Sequence, residues 1–159
     1  MLNKNFIYVF VILFIFFLDQ ISKNIILNLP QILNSSVITF NSYLSFTLVK
    51  NSGIAFGLLS SQNTIFYNSI TAIIISIIVI LFYFLIKVEG LEKISYSFII
   101  GGSLGNLFDR LTLKYVIDFI DISINDFHWF IFNIADIFIT IGIIMLISRE
   151  FLPKNKNYE

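Results

Sequence analysis

Residues 70–86 read ITAIIISIIVILFYFLI, an apolar run relieved only by the hydroxyls of Thr71, Ser76 and Tyr83. With the residues before it, the run fills 65–86. At about 1.5 Å of rise per residue, a helix over this stretch is long enough to cross a hydrocarbon core of roughly 30 Å. The stretch has no charged side chain, so the bilayer is its natural solvent and the rest of the chain is read with that as its frame.

Toward the N-terminus, FIYVFVILFIFFL at 6–18 has the apolarity of a signal-peptide core, but no small-residue cleavage motif follows it. DQISKNIILNL continues a helical pattern instead, so a retained span over 6–28 is expected. Toward the C-terminus a third span is expected over 94–113, broken by glycines, Asn106, Asp109 and Arg110. A fourth, over 130–147, is interrupted by Asn133 and Asp136. The predicted fold class is a mainly α membrane protein: one integral domain of four transmembrane helices, with a small β-element and a second outer loop on the exterior face.

Composition agrees. Of 159 residues, 57% are hydrophobic and 13% charged, against about 45 to 50% apolar residues in an ordinary soluble domain. Ten basic residues balance 10 acidic ones, so the chain lacks the cationic excess of a nucleic-acid binder and no nucleic-acid partner is expected. The absence of cysteine removes disulfides, thiolate metal sites and cysteine nucleophiles. No metal or other cofactor is expected, and the chemistry falls to Asp, Glu, Lys, Arg, Asn, Ser or the single His128.

Four spans put both termini on one side with the connection KVEGLEK at 87–93. That side carries Lys4, Lys87, Lys93, Arg149, Lys154 and Lys156, while Lys23, Lys50, Arg110 and Lys114 lie toward the other. The bias places both termini in the cytoplasm. In the first outer segment, 29–63, LSFTL at 44–48 alternates as a half-buried strand does. Asn51-Ser52-Gly53 supplies a turn, and 54–57 is expected to return as a second strand. The second outer segment, 114–129, intersperses acids among β-branched and aromatic residues.

An ionisable group inside a span costs about 2.5 to 3.5 kcal/mol on insertion scales, so Asp19, Lys23, Asp109, Arg110 and Asp136 need a reason. In the four-span arrangement all five reach the outer interface, where Asp118 and Asn51 can join them. Asp19 and Lys23 have the spacing of a favourable helical ion pair. Asp109 and Arg110 are adjacent, point in different directions on a helix and must find partners elsewhere. Asp118 and Asp136 sit among apolar neighbours with no basic residue close in sequence. Two such carboxyls at close range share a proton, and can activate water while polarising a carbonyl, as in aspartic proteases. Spacing alone leaves many other geometries open.

Five ordered blocks narrow the choice: Asp19-Gln20-Ile21-Ser22-Lys23, 50–57 (KNSGIAFG), 101–110 (GGSLGNLFDR), Val116-Ile117-Asp118-Phe119 and Phe132-Asn133-Ile134-Ala135-Asp136. In these motifs, over nearly its whole length, the chain resembles the lipoprotein signal peptidase family. The resemblance implies a peptidase of the bacterial inner membrane, active near the outer face, that cuts diacylglyceryl-modified prolipoproteins just before the lipid-bearing cysteine. Its catalytic pair maps to Asp118 and Asp136. Its supporting positions map to Asp19, Lys23, Asn51, Gly53, Asn106, Asp109, Arg110, Asn133 and Ala135. The implied partners are prolipoprotein signal peptides and membrane lipids, and the protein is expected to be a monomer. Lys114 stands where the family usually has glycine, and Ser52 and Ile54 vary within the second block.

Gly101, Gly102 and Gly105 read as a close-packing helix face, and Phe14, Phe16 and Phe17 as lipid-facing bulk. His128 reads as an interfacial residue beside Trp129. A proton- or ion-coupled transporter is the first rival reading, disfavoured because such proteins hold ionisable groups near the midplane and often contain repeats. The second is a non-catalytic scaffold, in which Asp118 would be dispensable.

Overall fold

The structure is a computed structural model that describes residues 5–53, 64–124, 127–128 and 130–151, with side chains of Leu33, Phe127 and His128 outside that description. Four long helices dominate it: α1 (Asn5–Leu27), α3 (Thr64–Leu85), α4 (Gly90–Thr112) and α5 (Ile134–Phe151). A short helix, α2 (Pro30–Ser35), follows α1. Pro30 starts it at the position where a missing N–H costs nothing, and Ser36 ends it in the left-handed region, φ 58°.

Two helices, α1 and α3, are long and apolar enough to cross a membrane on composition alone. They expose large apolar side chains along their length, including Phe10, Phe14 and Phe17 on α1 and Ile73, Ile80 and Tyr83 on α3. Phe14 and Phe17 thus behave as expected, whereas Phe16 packs edge-on against Phe108 of α4, with ring centres 5.8 Å apart. α4 is more polar because it faces protein: it packs against α1, α3 and α5. Its glycines allow the approach. A Cβ on Gly101 would lie 2.9 Å from the Ile15 Cβ of α1, and one on Gly102 would lie 2.5 Å from the Ala135 carbonyl oxygen of α5.

The expected boundaries of the first three spans move by a few residues, but the fourth is displaced. α5 begins at Ile134 rather than 130 and runs on to Phe151. Residues 130–133 are extended because Phe132 pairs with Ile120 of the sheet, and because Asn133 starts the helix. Its side chain accepts from the Asp136 N–H at 3.0 Å, while the Asp136 carboxylate accepts from the Asn133 N–H at 3.2 Å. This reciprocal capping satisfies two of the donors that a helix start leaves open.

The outer segments also differ from expectation. β1 (Val37–Thr39), β2 (Leu44–Asn51), β3 (Val116–Ile124) and β4 (Phe127–His128) lie side by side in that order, each antiparallel to its neighbour. The second outer segment is therefore not a separate loop; it supplies β3, the strand that pairs with β2. The proposed return strand at 54–57 lies outside the described residues. A core of Ile26, Ile32, Ile117 and Phe119 joins α1, α2 and β3, seating the sheet against the end of the bundle.

β2 carries a bulge. Phe46 faces Ile120 and Val49 faces Asp118, so two residues of β2 oppose one of β3. Beyond it Asn51 faces Val116. Without the extra residue Lys50 would take that place, because a one-residue slip exchanges the two faces of a strand. The bulge thus brings an amide rather than an ammonium beside Asp118.

Candidate active site

Lys23 is the centre of a buried polar network between α1 and α4. Its Nζ lies 2.7 Å from Asp19 and 2.8 Å from Asp109, and donates to Asn106 Oδ1 at 3.0 Å. Three acceptors match the three ammonium protons. The Asp19 carboxylate also accepts from the Ala135 N–H at 3.0 Å, which ties α1 to the first turn of α5. Gln20 spans the pair from the side, donating to Asp19 at 3.2 Å, to Asp109 at 3.0 Å and to the Gly105 carbonyl at 3.2 Å. Gly105 is required by contact, since a Cβ there would stand 2.5 Å from an Asp19 oxygen. Asp109 further accepts from the Ile117 N–H at 3.3 Å, linking the network to β3.

Asp118 and Asp136 line one cavity of about 340 Å³. Asp118 stands on β3. One of its oxygens accepts from Asn51 Nδ2 at 2.8 Å and the other from Asn133 Nδ2 at 2.6 Å. Asp136, in the first turn of α5, accepts from Asn106 Nδ2 at 2.9 Å and from the Asn133 N–H at 3.2 Å. Asn133 therefore touches both acids, and it donates to Asn106 Oδ1 at 3.0 Å as well. Both acids and Asn133 are held by amides, whose donors cannot be lost to titration.

Burial pushes the Asp118 carboxyl up to about 7, and the negative charge of Asp136 adds to the rise. The amide donors of Asn51 and Asn133 and the charge of Lys23 act the other way. Desolvation prevails because Asp118 is 2% exposed and none of its direct hydrogen-bond donors is charged. A carboxyl in this range changes protonation near neutrality, as acid–base catalysis at physiological pH requires.

Arg110, at the end of α4, lines the same cavity. Its Nη2 donates to the Gly53 carbonyl, and the Gly53 N–H donates to the Asn51 side-chain oxygen at 2.8 Å. The cavity wall beyond the polar end is apolar, with Ile74 and Ile78 from α3 and Ile139 and Ile143 from α5. Polar groups at one end of an apolar groove are the arrangement of a site that binds an apolar chain and acts on its polar end.

All 11 positions singled out from the sequence take part in this connected arrangement, Gly53 and Ala135 through their backbones. As expected, Asp109 and Arg110 pair away from each other. Lys114 adopts φ 69°, the left-handed conformation that glycine takes at least cost. Gln20 and Gly105 were not singled out as network members, although both lie in quoted blocks. A buried trio of Asp121 with Ser45 and Thr47, each donor 3.3 Å away, carried no sequence signal beyond an acid in an apolar strand. The side chains of His128 and Trp129 lie outside the described residues.

These features define a class: a membrane enzyme of helices and a small antiparallel sheet, with paired carboxyls in a cavity. Two solved structures described as a bacterial membrane enzyme share the fold. One matches with a TM-score of 0.75 at 32% identity over 96% of this chain and 94% of the other; the second has a TM-score of 0.75 at 33% identity over 92% and 94%. The profile of the family described as Signal peptidase (SPase) II matches residues 11–152. The lipoprotein signal peptidase of Pelagibacter ubique is 41% identical over 96% of this chain and 93% of its own length. That of Wigglesworthia glossinidia brevipalpis is 43% identical over 88% and 91%. The chain belongs to the signal peptidase II family.

Proposed function

We propose that this protein removes signal peptides from diacylglyceryl-modified prolipoproteins, as an aspartic endopeptidase with Asp118 and Asp136 as its catalytic pair. The observation that carries the reading is Asn133, one buried residue hydrogen-bonded to both of the carboxylates that line the cavity. In the proposed step the ionised carboxylate takes a proton from water, whose oxygen attacks the scissile carbonyl carbon. The protonated carboxyl of the pair gives its proton to the carbonyl oxygen. On collapse the C–N bond breaks, the departing nitrogen takes the proton won from water, and the carboxyl that gave its proton recovers it from the collapsing intermediate. Asn51 and Arg110 are the donors nearest to hand for the intermediate's oxygen. Asp19, Lys23, Asn106, Asp109, Asn133, Gly53 and Ala135 hold the pair in place.

The groove accepts the signal peptide's apolar segment. Cleavage falls just before the lipid-modified cysteine, whose acyl chains remain in the outer leaflet. We assign four crossings to α1, α3, α4 and α5 within one domain, both termini to the cytoplasm, the site to the outer face of the inner membrane, and a monomer as the working unit. The charge bias and the gathering of the acids at one end of the bundle support this topology. A fusion after Glu89 should report cytoplasm and one near Ser36 the exterior; an exterior signal at Glu89 would refute it.

The test of the chemistry is turnover of a lipidated precursor peptide by Asp118→Asn, Asp136→Asn and the double variant. Each single exchange should keep substrate binding and lose nearly all cleavage. The double should be scarcely worse, because groups acting as a unit are non-additive. Turnover near the wild-type rate by either single variant would sink the assignment of this pair and move the chemistry to other residues.

A further inference from the structure

We infer that Tyr67 of α3 is a positioning residue that fixes the Arg110 guanidinium toward the substrate cavity; the inference rests on the function proposed above. Arg110 is 4% exposed, and among the described residues its Nη1 is the buried side-chain nitrogen or oxygen with no hydrogen-bond partner. An unmatched guanidinium N–H is costly at this depth. Arg110 lines the cavity that holds both acids, so a substrate acceptor placed there relieves the deficit. The matching chemistry is a carbonyl oxygen, from the peptide or from the ester of the lipid.

A long side chain with an open donor needs to be held, and Tyr67 holds Arg110 in two ways. Its hydroxyl donates to the Arg110 carbonyl at 3.0 Å, one of the carbonyls that the end of α4 leaves without a helical partner. Its ring lies 5.7 Å from the guanidinium carbon, within cation–π range, and such contacts strengthen away from water. With Nη2 committed to Gly53, the guanidinium is fixed by the ring and by one hydrogen bond. Tyr67 is itself buried and is not part of the cavity wall. It therefore acts through Arg110, as part of the packing by which α3 is joined to α4.

The experiment compares Tyr67→Phe, which keeps the ring, with Tyr67→Leu, which removes it, reading kcat, KM and thermal melting in detergent with a lipidated precursor peptide. Each is then repeated in an Arg110→Lys background. Tyr67→Leu should raise KM about tenfold, with Tyr67→Phe intermediate. In the Arg110→Lys background neither should change KM by more than about twofold, because the planar fork that the ring orients is gone. Precursors with ester-linked and ether-linked lipid distinguish the acceptor: loss of the Tyr67 effect with the ether lipid assigns it to the ester, and persistence to the peptide. A fall in melting with unchanged KM, or an equal KM rise in both backgrounds, would overturn the inference. Should Tyr67→Leu not fold, the near-isosteric Tyr67→Phe carries the same comparison. Failure of the wild-type protein to cut the precursor would instead overturn the function itself, and this inference with it.

Discussion

Asn133 performs two tasks that separate under substitution. As the residue before α5 it accepts from the Asp136 N–H at 3.0 Å; as a donor it reaches Asp118 at 2.6 Å and Asn106 at 3.0 Å. Serine is as good a helix cap as asparagine but has no Nδ2 to reach Asp118, whereas alanine does neither. Loss of the cap costs about 1 kcal/mol, and about 2 to 4 °C of melting temperature in a protein of this size. Loss of a hydrogen bond to a charged or shared-proton carboxyl costs about 1.5 to 3 kcal/mol. If that bond strengthens as the pair passes its proton, the rate falls by about 10- to 150-fold. Asn133→Ser should therefore melt below wild type by the lost amide bonds alone, about 3 to 12 °C, and cleave far more slowly. Asn133→Ala should be slow and also less stable by the cap's worth. Initial rates on a lipidated precursor and melting in the same detergent decide the matter. Equal rates for wild type and Asn133→Ser would refute the role of this amide in the pair.

The raised Asp118 carboxyl has a sign that stability can read. A group with a folded pKa above its unfolded value stabilises fully below about pH 4, and this contribution is lost as pH rises through about 7. Wild-type melting should accordingly fall between about pH 4 and 7, Asp118→Asn should flatten that fall, and cleavage should follow a bell whose alkaline limb belongs to the pair; parallel melting curves for the two proteins would disprove it. Lys23→Met removes the one cation between Asp19 and Asp109, and breaking such a buried pair costs about 3 to 5 kcal/mol, so melting should drop steeply; an unchanged transition would dismiss the network as a brace. Lys114→Gly relieves a left-handed residue, worth about 1 to 2 kcal/mol, against the added freedom of glycine in the unfolded chain, about 0.4 to 1 kcal/mol. It should melt at or slightly above the wild-type temperature, and a clear fall would show that the contact from Lys114 Nζ to the Leu111 carbonyl, 3.3 Å, matters more than the backbone.

The helices α1 and α3 are legible because a helix long and apolar enough to cross a membrane writes its length in apolar residues. The start of α5 differs from expectation for a local reason: the apolar run 130–132 ends in Phe132, which pairs with Ile120 of the sheet and so stands before the helix. The signal that corrects it, asparagine followed three residues later by aspartate, was present at Asn133 and Asp136. β3 was missed because its partner β2 lies far away in sequence, and because Val116, Ile117, Asp118 and Phe119 are all buried, so no alternation marks an exposed face. The bulge in β2 left no trace either, since register is decided by the partner strand. The site's members were legible through the motif blocks, but their contacts were not. Nothing in the spacing says that Asn106 lies between Lys23 and Asp136, or that Gly105 is small to admit Asp19.

The two acids come from different kinds of structure, and this decides what keeps them together. Asp118 and Asn51 belong to the sheet, Asp136 and Asn106 to the bundle, so any tilt of the sheet would open the pair. The restraints against tilt are largely the residues that serve the acids. Asn133 donates to the Ile117 carbonyl at 3.4 Å, Asp109 accepts from the Ile117 N–H, and Phe132 exchanges backbone hydrogen bonds with Ile120 at 2.8 and 3.1 Å. Arg110 adds its bond to Gly53 just after β2. Ile117, the residue preceding Asp118, is thus gripped at both its N–H and its carbonyl, by groups one and three hydrogen bonds removed from Asp136. The strength of this grip comes from buried polar bonds that are costly to leave unmade, rather than from the modest apolar core beneath the sheet. Stability of the sheet's seat and geometry of the pair are consequently one property, carried by the polar residues concentrated at this end of the bundle.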